Sequence, residues 1–325
     1  MSTPQKPLGS GFGARSTAAE VVAGIDLTGR LAVVTGGYSG LGLETVRALR
    51  HAGAAVVVPA RRPNEAAAVL SKAGLGQVEV DEIDLADLDS VHAFADRFLE
   101  SGRSIDILID NAAIMAAPLA RVGDGWESQF ATNHLGHYVL ANRLWPALVD
   151  NGGARVIALS STGHKLSDIR WDDPQFETGY DKWKAYGQGK TADSLFAVHL
   201  DALGEPFGVR AFAVHPGGIM TELQRHLPKA EMIAAGWMDA AGTVNERFKS
   251  PEQGAATSVW AATSPLLDGL GGVYCEDCDI AELTVAGSAD ARIRGVEPYA
   301  VDPDSAARLW QLSARLTGSN AFAPL

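Results

Sequence analysis

Cysteine is nearly absent. Cys275 and Cys278 are the only two in 325 residues, so a disulfide framework is excluded. Their spacing matches half of a zinc site or a redox pair, but no second pair exists and the eight histidines show no ligand spacing. No metal is therefore expected. No apolar run approaches the roughly 20 residues that span a bilayer. The N-terminus lacks a basic start followed by an apolar stretch. No membrane span is expected, and the cytoplasm is the expected compartment. Blocks of basic charge are missing too: 27 basic side chains face 39 acidic ones, a net charge of −12. Such a surface repels nucleic acid and anionic membranes, so neither is expected as a partner. Internal repeats, low-complexity tracts and Pro- or Gly-rich linkers are also lacking, which leaves one domain.

What is present is ordinary globular material, 46% hydrophobic and 20% charged. From residue 31 short β-branched runs alternate with helical patterns. The runs are Leu31–Thr35, Ala55–Val58, Val78–Ile83, Ile105–Ile109, Val156–Leu159, Val209–Val214 and Gly272–Tyr274. Between and after them come Leu41–Ala52, Asn64–Ala73, Leu88–Ser101, Glu127–Val149, Trp183–Leu203 and Glu252–Ala262. This alternation predicts an α/β fold: one doubly wound parallel sheet of about seven strands with helices on both faces. Residues 1–25 read as a mobile tail with a short helix over Ala18–Gly24, Thr17 and Glu20 having capping-box spacing. The main domain covers 26–290. Residues 291–325 form a C-terminal extension with one helix, Asp304–Thr317, expected to dock on the body or on a neighbouring subunit. Ligands of such sheets bind at the carboxyl ends of the strands.

The first strand runs into Thr35-Gly36-Gly37-Tyr38-Ser39-Gly40-Leu41-Gly42, and a helix follows. Glycines permit the tight turn and let the backbone approach a pyrophosphate, which the helix N-terminus then attracts. Rival motifs fail on spacing. A nucleophile elbow would need glycine where Leu41 stands. A Walker A loop ending at Gly189-Lys190-Thr191 would need glycine at Lys184 and a preceding strand.

The pattern Thr35-Gly36-x-x-x-Gly40-x-Gly42 resembles the cofactor motif of the short-chain dehydrogenase/reductase superfamily, and the likeness extends over about residues 25–280. Thr132-Asn133-His134-Leu135-Gly136-His137, Tyr186-Gly187-Gln188 and His215-Pro216-Gly217-Gly218 look especially like its retinol-dehydrogenase-like branch, which includes WW-domain oxidoreductases. The resemblance implies an NAD(P)-dependent oxidoreductase acting on a small carbonyl or alcohol, often as a homodimer or homotetramer. A catalytically idle NADP(H)-binding sensor of the same fold is the alternative.

Ala60-Arg61-Arg62 follows the second strand. An acidic residue there would favour NAD(H), whereas two guanidiniums suit a 2′-phosphate, so NADP(H) is the expected cofactor. By resemblance Asp84 and Leu85 meet the adenine, and Asn111-Ala112-Ala113 forms one wall of the adenosine pocket. Alanine replaces the family's usual glycine at 113, which demands a backbone conformation that tolerates a Cβ. Pro216, Gly217, Ile219 and Thr221 match the turn that contacts the nicotinamide.

Tyr186 and Lys190 are spaced i, i+4 and share a helix face. A free phenol titrates near about 10, and a nearby ammonium stabilises the phenolate. Tyr186 is thus the expected proton donor or acceptor. By resemblance Ser161, chosen over Ser160, steadies the substrate oxygen, and Asn133 helps hold a water linked to Lys190. Gly189 is unusual where Ser or Ala is common, and is expected to weaken the helix and enlarge the pocket. The segments 163–182 and 220–250 read as substrate loops. Trp171, Phe176, Trp183, Met220, Trp237 and Met238 are candidate apolar lining for a hydrophobic substrate.

Overall fold

A computed structural model describes residues 3–323 of the chain. After α1 (Ala18–Val22), four strands and their crossovers build the first part of the sheet. They run β1 (Leu31–Val34), α2 (Gly40–His51), β2 (Ala55–Ala60), α3 (Pro63–Lys72), β3 (Glu79–Glu82), α4 (Leu88–Glu100) and β4 (Ile107–Asp110). A small hairpin follows, β5 (Arg121–Val122) and β6 (Trp126–Glu127). Next come α5 (Ser128–Phe130), a π-helical turn (Ala131–Leu135), α6 (Gly136–Arg143), α7 (Trp145–Val149) and β7 (Arg155–Leu159). The remainder is α8 (Lys182–Gly204), β8 (Arg210–His215), α9 (Lys229–Ala234), α10 (Pro251–Gly254), α11 (Ala256–Thr263), β9 (Val273–Glu276), β10 (Asp279–Ile280) and α12 (Pro303–Thr317).

The main sheet has eight strands in the order β10-β9-β8-β7-β4-β1-β2-β3, one more than the seven expected. All pair in parallel except β10, which runs antiparallel to β9. The extra strand returns through Asp277-Cys278, with φ of 49° and 61°. A two-residue hairpin turn of type I′ needs positive φ at both centres, and Asp-Cys lacks the usual glycine signal. The chain order reverses between β4 and β1, the crevice where such folds bind ligands.

Strand residues alternate between two cores, as the pleat requires. Ala32, Val34, Val56, Val58, Ile107 and Ile109 pack with Trp260 of α11 and Leu49 of α2. Val33, Val57, Leu108 and Val156 face Phe94, Tyr138 and Phe196 of α4, α6 and α8. Both sides of the central strands are apolar because both are covered, while the edge strand β3 is polar and partly exposed.

Two helical stretches break where the sequence pattern ran through. The stretch 127–149 divides at the π turn and again at Leu144, just before Pro146, whose ring suits a first turn and not a helix interior. The stretch 252–262 divides at Ala255. The N-terminal tail, expected to be mobile, lies against the body. The Gln5 side-chain amide donates to the carbonyls of Tyr274 and Ala281, each at 2.7 Å, and the Leu8, Gly9 and Ser10 N–H groups converge on the Asp279 carboxylate. Of the two docking partners expected for the C-terminal helix, the structure shows the body. Trp310 of α12 stacks on Phe196 with ring centroids 6.0 Å apart and meets Tyr138 edge-on at 4.8 Å.

Candidate active site

The carboxyl ends of β1, β2, β4, β7 and β8 open into one cavity of about 1180 Å³. Its floor is the glycine-rich turn. Gly36 has φ +64°, and a Cβ on Gly42 would lie 2.4 Å from the Gly36 carbonyl oxygen. Neither position accepts a side chain without moving the loop. Ser39 precedes α2 with an extended backbone and no side-chain cap, so the first N–H groups of α2 are left for a ligand. The loop is fixed from below. Thr35 Oγ accepts from the Asn111 and Ala112 N–H groups at 2.9 and 3.0 Å, and the Asn111 amide donates to the Thr35 carbonyl at 2.8 Å. Ala113 takes the glycine position without a left-handed φ, so its Cβ is tolerated.

Arg61 and Arg62 follow β2, are exposed, and line the same cavity. Arg62 pairs with Glu65 at 3.0 Å, while Arg61 has no hydrogen bond or ion pair among the described residues. Asp84 and Leu85 do not line the cavity. The Asp84 carboxylate accepts the Ala86 N–H at 3.0 Å, a local turn, and the Leu85 carbonyl packs against Gly136. At the other end Pro216, Gly217, Ile219 and Thr221 line the cavity. The Ile219 carbonyl accepts from the Gln224 amide at 2.8 Å, and Thr221 caps the turn after it. The cradle of glycines, the uncapped helix and the two guanidiniums fit a phosphorylated dinucleotide.

Tyr186 and Lys190 both line this cavity from α8. The Lys190 Nζ stands 5.8 Å from the centre of the Tyr186 ring. Burial alone would lower the Lys190 pKa, but the Asp193 carboxylate and Tyr186 outweigh it and hold the ammonium above its usual range. Ser161 faces the same space, and its Oγ accepts the Gly163 N–H at 3.0 Å. Ser160 is otherwise engaged: it is buried and donates to the Lys190 carbonyl at 2.7 Å. The Tyr186 ring lies against Gly163, where a Cβ would come within 2.6 Å of the ring.

Asn133 lies in the π turn and not in a regular helix. Its side chain is clamped on Ile114, accepting that N–H and donating to that carbonyl at 2.9 Å each. Its own carbonyl faces the His137 Nδ1 at 2.9 Å. That contact requires Nδ1 to carry the proton, so the Thr35 hydroxyl donates to Nε2 at 2.9 Å. Burial first holds His137 down to about 4, leaving it neutral.

The apolar end of the cavity is built around Tyr186. Met115 and Leu227 are buried beside it, and Trp183, Leu223, Met232 and Trp237 pack partly buried around them. Trp183 touches Tyr186 and Trp237 edge-on, at 6.4 and 5.9 Å between centroids. Glu231 ties this end down, accepting from Lys182 and the Trp183 indole at 2.6 and 2.8 Å. Four expected lining residues lie elsewhere. Trp171 sits under Arg308 in the cluster beneath α12, because α12 covers the outer face of α8. Phe176 is buried beneath Arg170 and against Tyr180. Met220 is half-buried outside the lining, and Met238 bridges to Val244. Gly189 does not enlarge the pocket; it faces Asn133. Cys275 and Cys278 are buried free thiols, and burial raises both, Cys278 to about 11.

Asp193 and Asp110 were missed. The sequence signals were an acid three residues after Lys190 and an acid closing the apolar run Ile107-Leu108-Ile109.

A family model described as "short chain dehydrogenase" matches residues 30–232. A Streptomyces lividans protein named "Probable oxidoreductase" is 46% identical over 297 residues, 89% of this chain and 98% of its own. Mouse (Mus musculus) retinol dehydrogenase 12 is 35% identical over 298 residues, 90% of this chain and 88% of its own. A crystal structure of a protein from Mycobacterium paratuberculosis superposes with a TM-score of 0.72 at 33% identity, covering 96% of this chain and all of that one. Among the described residues no helix is long and apolar enough to cross a membrane. A glycine-rich loop, a buried Tyr-Lys pair and relatives matched nearly end to end lead to one assignment: the chain is an oxidoreductase of the short-chain dehydrogenase/reductase family, in its retinol-dehydrogenase-like branch.

Proposed function

We propose that this chain interconverts a carbonyl and an alcohol on a hydrophobic small molecule, with Tyr186 as general acid/base and NADP(H) as the preferred cofactor. The reading is carried by one observation: Tyr186, Lys190 and Ser161 meet the phosphate loop in a single cavity. The dinucleotide, when bound, supplies or accepts the hydride. The glycine loop and the α2 N-terminus hold its pyrophosphate, and Arg61 and Arg62 hold the 2′-phosphate. The Asn111–Ala113 backbone walls the adenosine side, and the 216–221 turn meets the nicotinamide side.

In reduction the Tyr186 hydroxyl gives its proton to the substrate oxygen; in oxidation the phenolate takes it back. The Ser161 hydroxyl donates to the same oxygen as charge develops. Lys190 places a positive charge beside the phenol and keeps one N–H for the nicotinamide ribose. Asn133 fixes the loop after β4 and shapes the π turn from which a water reaches Lys190. Trp183 and Trp237 offer the apolar wall that admits a lipophilic substrate and excludes water.

The test is NADPH and NADH consumption across a panel of lipophilic aldehydes and ketones. Turnover with a kcat/KM preference for NADPH is expected, and Arg61→Ala should erode that preference by about tenfold, one charge-assisted phosphate contact. Cofactor binding without turnover on any member would favour the idle sensor. A wild-type preference for NADH would overturn the cofactor assignment.

A further inference from the structure

Lys190 has a counterion that the proposed chemistry does not use. An ammonium carries three donors. One N–H of Lys190 goes to the Leu159 carbonyl at 2.7 Å and one to the Asp193 carboxylate at 2.8 Å. Asp193 lies one turn further along α8 and is 5% exposed. Close to it stands Asp110, the last residue of β4, 4% exposed, with both carboxyl oxygens lacking a hydrogen-bond partner among the described residues. The other titratable groups that face this cluster are Tyr186 on α8 and His137 on α6.

A buried carboxylate with no donor cannot keep its charge. Burial, and then the neighbouring Asp193 charge, push Asp110 well above the carboxylate range, which favours its neutral form. Burial raises Asp193 to about 6 against the pull of Lys190, so Asp193 is charged at neutral pH. With His137 neutral, the Lys190–Asp193 ion pair is the charged centre of the cluster.

We propose that Asp193 is a positioning residue that holds the Lys190 ammonium between two anions, its own carboxylate and the Tyr186 phenolate, and so sets the pH at which Tyr186 exchanges its proton. Asp110 beside it makes no contact with the ammonium among the described residues. The inference rests on Tyr186 being the proton donor. Its sign follows from Coulomb's law: the Asp193 carboxylate offsets part of the field that Lys190 exerts on the phenol. Removing that carboxylate leaves an uncompensated cation beside Tyr186 and favours the phenolate.

The experiment compares Asp193→Asn, Asp110→Asn and wild type by two readouts. One is the basic limb of the kcat/KM profile for carbonyl reduction. The other is the phenol titration of Tyr186 in the cofactor-free protein, followed by ring-labelled tyrosine NMR and assigned by the resonance lost in Tyr186→Phe. Asp193→Asn should move both to lower pH by about one unit, a tenfold change in proton affinity. Asp110→Asn should move neither, since among the described residues Asp193 and not Asp110 touches the Lys190 ammonium. In wild type the Tyr186 resonance should also show a second, smaller inflection near the Asp193 titration; this needs no substitution and so survives if Asp193→Asn does not fold. A folded Asp193→Asn with both readouts unmoved, a shift in Asp110→Asn as large as that in Asp193→Asn, or a wild-type resonance with one inflection overturns the proposal. Failure of the proton-donor reading is distinguishable: Tyr186→Phe would then turn over normally, while the resonance still reports on the coupling.

Discussion

Around Tyr186 the packing is set by very small neighbours. Gly163 and Gly187 let the turn after β7 lie directly on α8; a Cβ on Gly187 would come within 2.9 Å of the Gly163 carbonyl and of Leu166. Gly187→Ala should therefore destabilise the fold by about 1–3 kcal/mol through forced backbone movement. Gly189 is the contrast. It lies in the same helix, but its Cβ would find only ordinary contact, 3.6 Å from the Asn133 amide. Gly189→Ala should stabilise by about 0.5–1 kcal/mol, the helix-propensity gain. Denaturant unfolding of both variants checks the pair, and equal effects would contradict the packing described. From sequence, Tyr186 and Lys190 were legible because i, i+4 spacing on a helix is geometry in itself. Asp110 was not, because a single acid ending an apolar strand reads as a capping residue until its lack of partners is seen. Trp171 misled because position in a loop after a strand does not say which side of α8 the ring will take.

At the scale of elements, regular crossovers were readable and interruptions were not. The π turn at Ala131–Leu135 has no glycine or proline to announce it, yet it supplies the carbonyl that orients His137. The antiparallel β10 depends on a left-handed cysteine, which no turn rule anticipates. The α12 helix was predicted with its start and end nearly right, while its partner had to come from the structure. It lies on α6 and α8, with Trp310 5% exposed among Phe196, Tyr138 and Phe322 and Ser313 within 2.7 Å of the His134 ring. Since α8 carries Tyr186 and Lys190, this outer layer braces the helix that holds them. Trp310→Ala should cost about 3–5 kcal/mol by emptying that contact. Thermal or denaturant unfolding measures it, and a loss under about 1 kcal/mol would show that α12 is a loose appendage.

For the whole molecule, the sheet order explains why residues far apart in sequence share one cavity. The reversal between β4 and β1 opens a crevice, and the carboxyl ends of five strands deliver the glycine loop, two arginines, Asn111, Ser161 and the 216–221 turn to it. Charge is distributed to match. The chain carries −12 overall, yet the cavity lining includes Arg15, Arg61, Arg62, Arg225, Arg247 and Arg292. The N-terminal arm takes part, as Arg15 donates to the carbonyls of Phe248 and Glu246 in the segment that closes the apolar end. The central claim is that the phenol of Tyr186, and no other group in this cavity, moves the proton. Its most direct test is Tyr186→Phe, measured for kcat and for NADPH affinity in the same preparation. A fall in kcat of about a hundredfold or more with cofactor affinity within about twofold of wild type is the predicted result; turnover near the wild-type rate would contradict it.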